Sequence, residues 1–306
     1  MHLLQVTDLS AARLQALFEL AAQFKRRPHR QGKALAGKVL VLIFQKPSLR
    51  TRVSFEVAVR RLGGATSYLG PDDAQLGDRE PITDVARTLS RYVDGIILRT
   101  FRHAQVDACA ADASVPVING LSDLHHPCQA LADLFTMQER FGRLKGVTIA
   151  YVGDGNNVLH SLLQGASLLG VNMAVATPPG YRPQSAIWRQ AVRAAAAQGA
   201  ALSWSPHPHE AVRRADVVYA DVWTSMGQEQ ERQARQRAFR GFQVNRRLLA
   251  RANRRAIVMH CLPAHRGEEI SEDVVDGPRS IVFGQAENRL HVQQALLAMI
   301  YQRSLA

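Results

Sequence analysis

Residues 38–62 have the sequence KVLVLIFQKPSLRTRVSFEVAVRRL, and this stretch decides the fold class. Its beginning, residues 38–44, is a largely apolar run that predicts a β-strand. Its end, residues 52–62, predicts a helix, because apolar residues recur there at helical spacing before a Gly-Gly pair: Phe55, Val59 and Leu62. A strand, a polar loop and a helix in this order are typical of a parallel βαβ unit.

The same alternation of short strands and helices continues along the chain. Further strands are predicted at Thr66–Leu69, Gly95–Leu98, Val115–Ile118, Val147–Val152, Asn172–Thr177, Ala201–Trp204, Val217–Ala220, Ala256–His260 and Ser280–Phe283. Further helices are predicted at Ile82–Tyr92, Gln129–Phe141, Val158–Leu169 and from about Gln285 to Leu305. We therefore expect an α/β protein with two doubly wound parallel-sheet domains, residues 1–141 and 142–306, divided near Gly142.

Composition narrows the class of protein. Hydrophobic residues make up 46% and charged residues 21% of the 306 residues, which excludes a disordered chain. No apolar run approaches the roughly 20 residues of a membrane helix, and no signal-peptide pattern opens the chain, so a cytoplasmic location is expected. The three cysteines, Cys109, Cys128 and Cys261, form no CxxC pair and indicate neither a disulfide framework nor a structural zinc site.

The formal net charge is +12, which attracts anions of any kind. The densest basic segment, Arg232–Arg255, interleaves only Phe239 and Phe242 as stacking platforms for nucleic-acid bases. A solvated helix face and a polar surface loop are the expectation for this segment, and nucleic acid is not a predicted partner.

In the first half, polar clusters follow three predicted strands, where ligands bind in open α/β sheets. Residues 46–52 (KPSLRTR) open a helix, so free N–H groups, hydroxyls and arginines suit a phosphate there. The alternative for this segment alone is an ordinary Ser/Thr helix cap with solvated arginines. Arg99 and residues 125–129 (HHPCQ) follow two other strands. The adjacent histidines have no further ligands at zinc spacing, so no metal is predicted.

The second half offers GDGNNV at residues 153–158. This segment lacks the third glycine of the dinucleotide fingerprint and the acidic ribose partner, so its asparagines are expected to bind another polar ligand. Asp221 begins DVWTSMG and suits an ammonium group, although a helix cap or a turn residue is the alternative. Cys261, in the HCLP that ends another strand, is either a site residue or a small buried side chain.

One half thus presents cationic groups and a helix start, and the other presents an acid and amides. A cleft between them would bring a phosphorylated electrophile to an amino nucleophile. Such a group transfer needs neither a metal nor a redox cofactor.

Together these clusters resemble the ornithine carbamoyltransferases, from the N-terminal region to the last helix. The matching segments are FQKPSLRTRVSFE (44–56), QLG (75–77), DGIILRTF (94–101), HHPCQALADL (125–134), YVGDGNNV (151–158), DVWTSMGQE (221–229), HCLPAHRGEEI (260–270) and QAENRLH (285–291). The resemblance implies a carbamoyl-phosphate domain, an L-ornithine domain, and a final helix, about 285–306, that returns to the first domain. It also implies no cofactor, and a homotrimer in which Gln75 reaches into the neighbouring subunit's site.

The resemblance also implies roles for individual residues. Carbamoyl phosphate would be bound by Ser48, Leu49, Arg50, Thr51, Gln75, Arg99, His126, Pro127, Cys128, Gln129, Cys261, Leu262 and Arg289, and ornithine by Asn157, Asp221, Ser225 and Met226. The residues expected to carry the catalysis are Arg99, His126, Gln129, Asp221, Cys261 and Arg289. Arg99 and His126 would stabilise charge on the carbonyl oxygen, and direct transfer is expected because carbamoyl phosphate is already activated.

Four positions depart from the commonest family pattern. Leu49 stands where threonine is frequent, but the second residue of a phosphate loop can act through its backbone N–H. Asp78-Arg79 follow QLG where a basic residue and a glycine are usual, and Gly284 replaces an acid before QAEN. These departures concern the subunit interface more than the chemistry.

Alternative functions stay open. The acceptor amine is ornithine, N-acyl-ornithine, putrescine or aspartate, with Asp221 disfavouring aspartate and an α-carboxylate site disfavouring putrescine. The reaction direction is anabolic or catabolic, the latter being citrulline phosphorolysis. A basic nucleic-acid-binding or regulatory paralogue is the non-enzyme alternative, and it would have degenerate catalytic positions.

Overall fold

The computed structural model describes residues 1–27, 32–73, 80–225 and 227–301. Within these residues the strands are β1 (Val39–Phe44), β2 (Ala65–Leu69), β3 (Gly95–Arg99), β4 (Val117–Leu121), β5 (Thr148–Val152), β6 (Asn172–Ala176), β7 (Leu202–Ser205), β8 (Val217–Ala220) and β9 (Ile257–His260). The helices are α1 (Ala11–Arg26), α2 (Leu49–Arg61), α3 (Ile82–Leu89), α4 (His103–Asp112), α5 (Pro127–Phe141), α6 (Asn157–Leu168), α7 (Ser185–Ala197), α8 (Pro208–Ala211), α9 (Arg232–Ala238), α10 (Arg246–Leu249), α11 (Glu272–Val275) and α12 (Val282–Tyr301).

The chain forms two compact units, one of residues 1–135 and 287–306 and the other of residues 136–286. The divisions fall inside α5 and inside α12, so both helices link the two units. The domain limits predicted from the sequence, 1–141 and 142–306, stay a proposal.

The first unit contains a parallel sheet with the strand order β2-β1-β3-β4 among the described residues. The central strand β3 is buried along its whole length, as expected for a parallel sheet covered on both faces. The chain leaves β1 toward β2 on one side and later returns to β3 on the other, so the strand order reverses between β1 and β3. The loops after these two strands therefore open at the point where α/β sheets bind ligands.

The second unit contains a parallel sheet with the order β7-β6-β5-β8-β9 among the described residues. Its order reverses between β5 and β8, which places the loop after β5 and the residue after β8 at the equivalent position. The prediction of two doubly wound parallel sheets is confirmed.

The last helix, α12, packs on the first unit. Near its end the Tyr301 hydroxyl donates to the Asp94 carbonyl oxygen at 2.8 Å, and near its middle Asn288 Oδ1 accepts from Lys25 Nζ at 2.8 Å. The predicted return of the C-terminal helix is therefore confirmed. No helix among the described residues is long and apolar enough to cross a membrane.

The predicted strand Ser280–Phe283 is wrong. Ser280 makes a single bridge to Val258, and α12 has begun by Val282. The apolar residues of this run belong in part to the first turn of a helix, and a run this short does not separate the two structures by periodicity.

Candidate active site

The loop after β1 presents the N-terminus of α2. Ser48 caps the helix, because its Oγ accepts a hydrogen bond from the Thr51 N–H at 3.3 Å, and its hydroxyl lies 3.0 Å from Thr51 Oγ1. The side chain of Leu49 is 76% exposed, so this residue offers the site its backbone N–H. The segment is thus a Ser cap and, at the same time, a helix start suited to an anion.

Three arginines of the first unit lie near this helix start. Arg289 of α12 donates from Nη2 to Thr51 Oγ1 at 2.7 Å, and Arg99, the last residue of β3, is 3% exposed. Burial, and the positive charges of Arg289 and Arg50, lower the pKa of Arg99 to about 10. Arg99 Nε is a buried donor without a hydrogen-bond partner in the described part of the chain. These arginines lie close together although their charges repel one another, and Arg99 Nε is available to donate a hydrogen bond. Such an arrangement is typical of a site that binds an anion.

His126 lies in the same electrostatic environment. It precedes α5 and is 5% exposed. Burial, followed by the charges of Arg289 and Arg99, holds the pKa of His126 well below its usual value. The imidazole is therefore neutral at physiological pH, where it can act as a hydrogen-bond donor without adding positive charge.

Gln129 supplies a fixed acceptor. Its Nε2 donates to Asp133 Oδ1 at 2.8 Å, which orients the amide, and its buried Oε1 has no hydrogen-bond partner among the residues described. A buried carbonyl oxygen without a partner suits an N–H donor on a ligand.

The two residues between His126 and Gln129 play different parts. Pro127 is the first residue of α5, a position where a missing N–H costs nothing. The Cys128 thiol is buried and lies 3.7 Å from the Asn119 carbonyl oxygen, and burial raises its pKa to about 12. Cys128 is therefore an unreactive thiol that packs beneath the loop.

In the second unit, Asp221 follows β8 and is 1% exposed. Its Oδ2 accepts from Asn156 Nδ2 at 2.7 Å and lies 3.3 Å from the Tyr151 hydroxyl. Its Oδ1 accepts from the Cys261 thiol at 2.9 Å and from the Val222 N–H at 2.8 Å. Asn156 and Cys261, which the sequence predicts at the carboxyl ends of two strands, thus both bind the Asp221 carboxylate.

Asn156 is the asparagine that organises this loop. Its Oδ1 accepts from the N–H groups of Val158 and Leu159, which caps α6. Gly155 passes so close to the chain at 181–183 that a Cβ would lie 2.4 Å from backbone atoms. Asn157, predicted as an ornithine ligand, is the first residue of α6 and is half-buried.

A buried ion pair supports the same loop. Arg235 Nη1 donates to Asp154 Oδ2 at 2.8 Å and to the Trp223 carbonyl oxygen at 3.1 Å, and its side chain is 7% exposed. Burial raises the pKa of Asp154 to about 6, and the Arg235 charge opposes that increase. Arg235 thereby ties the start of the DVWTSMG segment to the loop after β5.

The expectation of a solvated helix face over Arg232–Arg255 is therefore wrong at Arg235. No local pattern in the sequence distinguishes Arg235 from its exposed neighbours in α9. Its fellow Arg232 pairs with Glu268 at 2.6 Å in a more exposed position.

Cys261 and Leu262 form a turn after β9. Leu262 has a φ of 56°, in the left-handed region, and its N–H donates to His260 Nδ1 at 2.9 Å. The Cys261 thiol is partly exposed and points to Asp221. Ser225 is held through its backbone, whose N–H donates to Gln228 Oε1 at 3.1 Å. Two predicted site residues, Gln75 and Met226, lie outside the described residues.

One group of potential metal ligands, His265, Glu268 and Glu269, brings ligand atoms within 4.8 Å of one another in the described chain. Glu268 is paired with Arg232, and Glu269 is hydrogen-bonded to His260. Both carboxylates therefore already have protein partners, and the prediction of no metal stays a prediction.

A helix start with buried arginines in one parallel α/β unit, and a buried carboxylate beside a thiol and amides in the other, define a two-domain α/β transferase. Residues 1–139 match the model of the aspartate/ornithine carbamoyltransferase carbamoyl-phosphate-binding domain, and residues 145–300 match that of the Asp/Orn-binding domain. The chain belongs to the aspartate/ornithine carbamoyltransferase family.

Named relatives agree with this assignment. The chain is 51% identical to an ornithine carbamoyltransferase of Thermococcus kodakarensis over 96% of this chain and 94% of that protein. It is also 51% identical to a Pyrococcus furiosus protein named ornithine carbamoyltransferase, anabolic, over 97% and 95% of the two chains. The solved ornithine carbamoyltransferase structure from Pyrococcus furiosus matches with a TM-score of 0.95 at 50% identity, over 98% of this chain and 96% of that one.

Proposed function

We propose that this enzyme transfers the carbamoyl group of carbamoyl phosphate to the δ-amine of L-ornithine, giving L-citrulline and phosphate. The observation that carries the proposal is the buried Asp221 carboxylate, held by Asn156 and the Cys261 thiol, in the unit that matches the Asp/Orn-binding domain. A buried carboxylate attracts an ammonium group and repels the extra carboxylate of aspartate. Of the two carbamoyl acceptors that give the family its name, aspartate and ornithine, the Asp221 carboxylate therefore favours ornithine.

The first unit binds the donor. The phosphate group accepts hydrogen bonds from the α2 N-terminus, from the hydroxyls of Ser48 and Thr51, and from the Arg50 guanidinium. Gln129 Oε1 accepts from the carbamoyl NH₂, because its amide nitrogen is already committed to Asp133. Arg99, Arg289 and neutral His126 donate to the oxygens of the carbamoyl group and the phosphate.

The chemical step is a direct transfer. The neutral δ-amine of ornithine attacks the carbamoyl carbon, and negative charge grows on the carbonyl oxygen, where Arg99 and His126 stabilise it. The C–O bond to phosphate then breaks with its electron pair, and the departing phosphate accepts the proton that the amine nitrogen loses. No covalent enzyme intermediate is needed, because phosphate is already a good leaving group.

The second unit binds the acceptor. Asn157, Asp221, Ser225 and Met226 hold the α-amino and α-carboxylate groups of ornithine. Cys261 and Leu262 contact the amine groups of both substrates through the thiol and the backbone carbonyl oxygens. The hydrogen bonds around Asp221 support this role, since they fix its carboxylate before ornithine arrives.

Assembly and cellular role complete the proposal. The enzyme acts as a homotrimer in which Gln75 of one subunit completes the phosphate site of the next, and it works in the cytoplasm. The anabolic direction, a step of arginine biosynthesis, is favoured by the Pyrococcus furiosus relative whose name states it.

A citrulline assay tests the function. Carbamoyl phosphate is supplied with L-ornithine, N-acetyl-ornithine, putrescine or L-aspartate, and the molar mass of the active species is measured in solution by light scattering. Ornithine is expected to give the highest kcat/KM, and the mass is expected to be that of three chains. Carbamoylation of another amine at a higher kcat/KM would contradict the proposal, and a monomeric active species would contradict the shared site.

A further inference from the structure

A fully buried acid and imidazole lie behind the Cys261–Leu262 turn and have no part in the chemistry described above. His260 Nε2 lies 3.2 Å from Glu269 Oε1, and both side chains are 0% exposed. Removing a carboxylate from water is costly unless it is well hydrogen-bonded, so such a pair calls for a structural or functional reason.

The second nitrogen of the imidazole gives that reason. His260 Nδ1 accepts the Leu262 N–H at 2.9 Å. A nitrogen that accepts a hydrogen bond carries a lone pair, so the ring proton must be on Nε2, where it is donated to Glu269. Glu269 therefore selects the tautomer that can bind the Leu262 backbone.

The bond to His260 holds an unfavourable backbone conformation. Leu262 has a φ of 56°, which a side chain with a Cβ seldom adopts without support from its surroundings. The neighbouring N–H of His260 donates to Gln285 Oε1 at 2.9 Å, and Glu269 Oε1 also accepts from the His265 N–H at 2.5 Å. Hydrogen bonds therefore hold the backbone on both sides of Leu262, at His260 and at His265.

We infer that Glu269 and His260 are positioning residues that hold the Cys261–Leu262 turn in the shape carbamoyl transfer requires. This inference rests on the proposed function, in which the thiol of Cys261 and the backbone carbonyl oxygens of the turn contact the two amine groups. A carbonyl oxygen is placed by its peptide plane, so the hydrogen bond at the Leu262 N–H sets the direction of the Cys261 carbonyl oxygen as well. Both side chains are fully buried, so they act on the substrates through the turn.

Two substitutions at His260 distinguish the effect of the Nδ1 hydrogen-bond acceptor from the effect of the buried ring. His260→Phe keeps a buried ring but removes the acceptor, whereas His260→Asn places an amide oxygen near the former Nδ1. His260→Phe is expected to lower kcat about 100-fold, because small misplacements of reacting groups have effects of this order. The KM for carbamoyl phosphate, whose phosphate group is bound by the first unit in the proposed function, is expected to stay within about threefold, and His260→Asn is expected to recover most of the lost kcat. His209→Phe, at an exposed histidine, is the matched control and is expected to leave kcat unchanged.

Two results of these assays would overturn the inference. One is an unchanged kcat in folded His260→Phe, and the other is a His260→Asn variant as slow as His260→Phe. Glu269→Met, which removes the acceptor of the ring proton, is expected to lower kcat in the same way, while Glu269→Gln keeps an oxygen that can accept it.

A measurement on the unaltered enzyme gives a test that does not depend on activity. Nitrogen-15 NMR of the histidine rings distinguishes a protonated nitrogen from one with a lone pair, and His260→Asn assigns the His260 signals. The inference requires a lone pair on Nδ1 and a proton on Nε2, and the opposite tautomer would overturn it. If no amine in the panel gives a carbamoylated product, the proposed function fails, whereas this tautomer is still observed if the turn is built as described.

Discussion

Arg289 Nη2 lies 2.7 Å from Thr51 Oγ1, so the last helix donates a hydrogen bond to the first turn of α2 across 238 positions of sequence. The contact is one of several that hold the C-terminal helix on the first unit, together with Tyr301–Asp94 and Asn288–Lys25. Arg289 is a third cation near the start of α2, in addition to Arg50 and Arg99. The charges of Arg289 and Arg50 both lower the pKa of Arg99. The proposed anion site therefore combines residues of α2 and β3 with a residue of the last helix.

Replacing Arg289 by methionine tests the contribution of this helix to donor binding. The variant loses a charge-assisted hydrogen bond to the phosphate and the hydrogen bond from Arg289 to Thr51. Hydrogen bonds that involve a charged group are worth about 1.5–3 kcal/mol each. We expect the Kd for inorganic phosphate, measured by calorimetry, to rise about 10- to 100-fold. Arg60→Met, at an exposed arginine of α2, is the control. A similar Kd in both variants would show that Arg289 has no part in the anion site.

The low pKa of His126 is a second prediction. Its causes are burial and the charges of Arg289 and Arg99, so the native protein does not bind a proton at His126 where the unfolded chain does. The free energy of unfolding is therefore expected to fall as the pH decreases below about 6.5, by up to ~1.4 kcal/mol per pH unit from this residue.

An NMR titration of the His126 ring, assigned with His126→Asn, measures this directly. The midpoint is expected well below the ordinary histidine value, and inorganic phosphate is expected to raise it, because the anion offsets the two guanidinium charges. A midpoint at or above 6.5 in the phosphate-free enzyme would contradict the neutral donor assigned to His126.

The Arg235–Asp154 pair gives a stability prediction for the second unit. Arg235→Met leaves Asp154 buried without its cation, and breaking a buried pair in this way costs about 3–5 kcal/mol. The double variant with Asp154→Asn is expected to recover part of the loss. All three tryptophans, Trp188, Trp204 and Trp223, belong to the second unit, so their fluorescence during urea unfolding reports on it.

The exposed arginine of the same helix supplies the comparison. Arg237→Met removes an exposed side chain whose Nε donates to the Gln233 carbonyl oxygen of its own helix, and a change in the free energy of unfolding below about 0.5 kcal/mol is expected. Equal effects at positions 235 and 237 would argue against an anchoring role for the buried pair.

Much of this architecture follows from local sequence pattern. Apolar runs such as residues 39–44 specify buried strands, and polar clusters after β1, β3, β5 and β8 lie at the reversals of strand order. The ligand-binding edges are predictable because parallel topology brings the carboxyl ends of strands together. The positions of Ser48 after β1 and of Asp221 after β8 were predictable in this way, and their roles in ligand binding stay a proposal.

The supporting residues were not predictable by the same reasoning. Arg235 looks like any arginine of a basic helix, and its burial depends on Asp154, 81 residues earlier. Glu269 likewise acts on a residue nine positions away through a turn whose shape no periodicity encodes. Such roles arise from tertiary contacts, and the only local hint was that both Glu269 and Asp154 lie in segments that match the family.

The thiol of Cys261 provides a prediction about the mechanism itself. Its Sγ donates to Asp221 Oδ1 at 2.9 Å, and a serine hydroxyl can make the same bond. If transfer from phosphate to ornithine is direct, Cys261→Ser keeps kcat within about tenfold, because the hydrogen bond to the carboxylate is kept and the thiol is not a nucleophile. Cys261→Ala is expected to be slower, since it leaves Asp221 without that donor. Mass spectrometry of the acid-quenched wild-type enzyme is expected to find unmodified protein during turnover. A carbamoyl adduct on Cys261 that forms and decays as fast as citrulline appears, together with complete loss of turnover in the serine variant, would require two successive transfers in place of one.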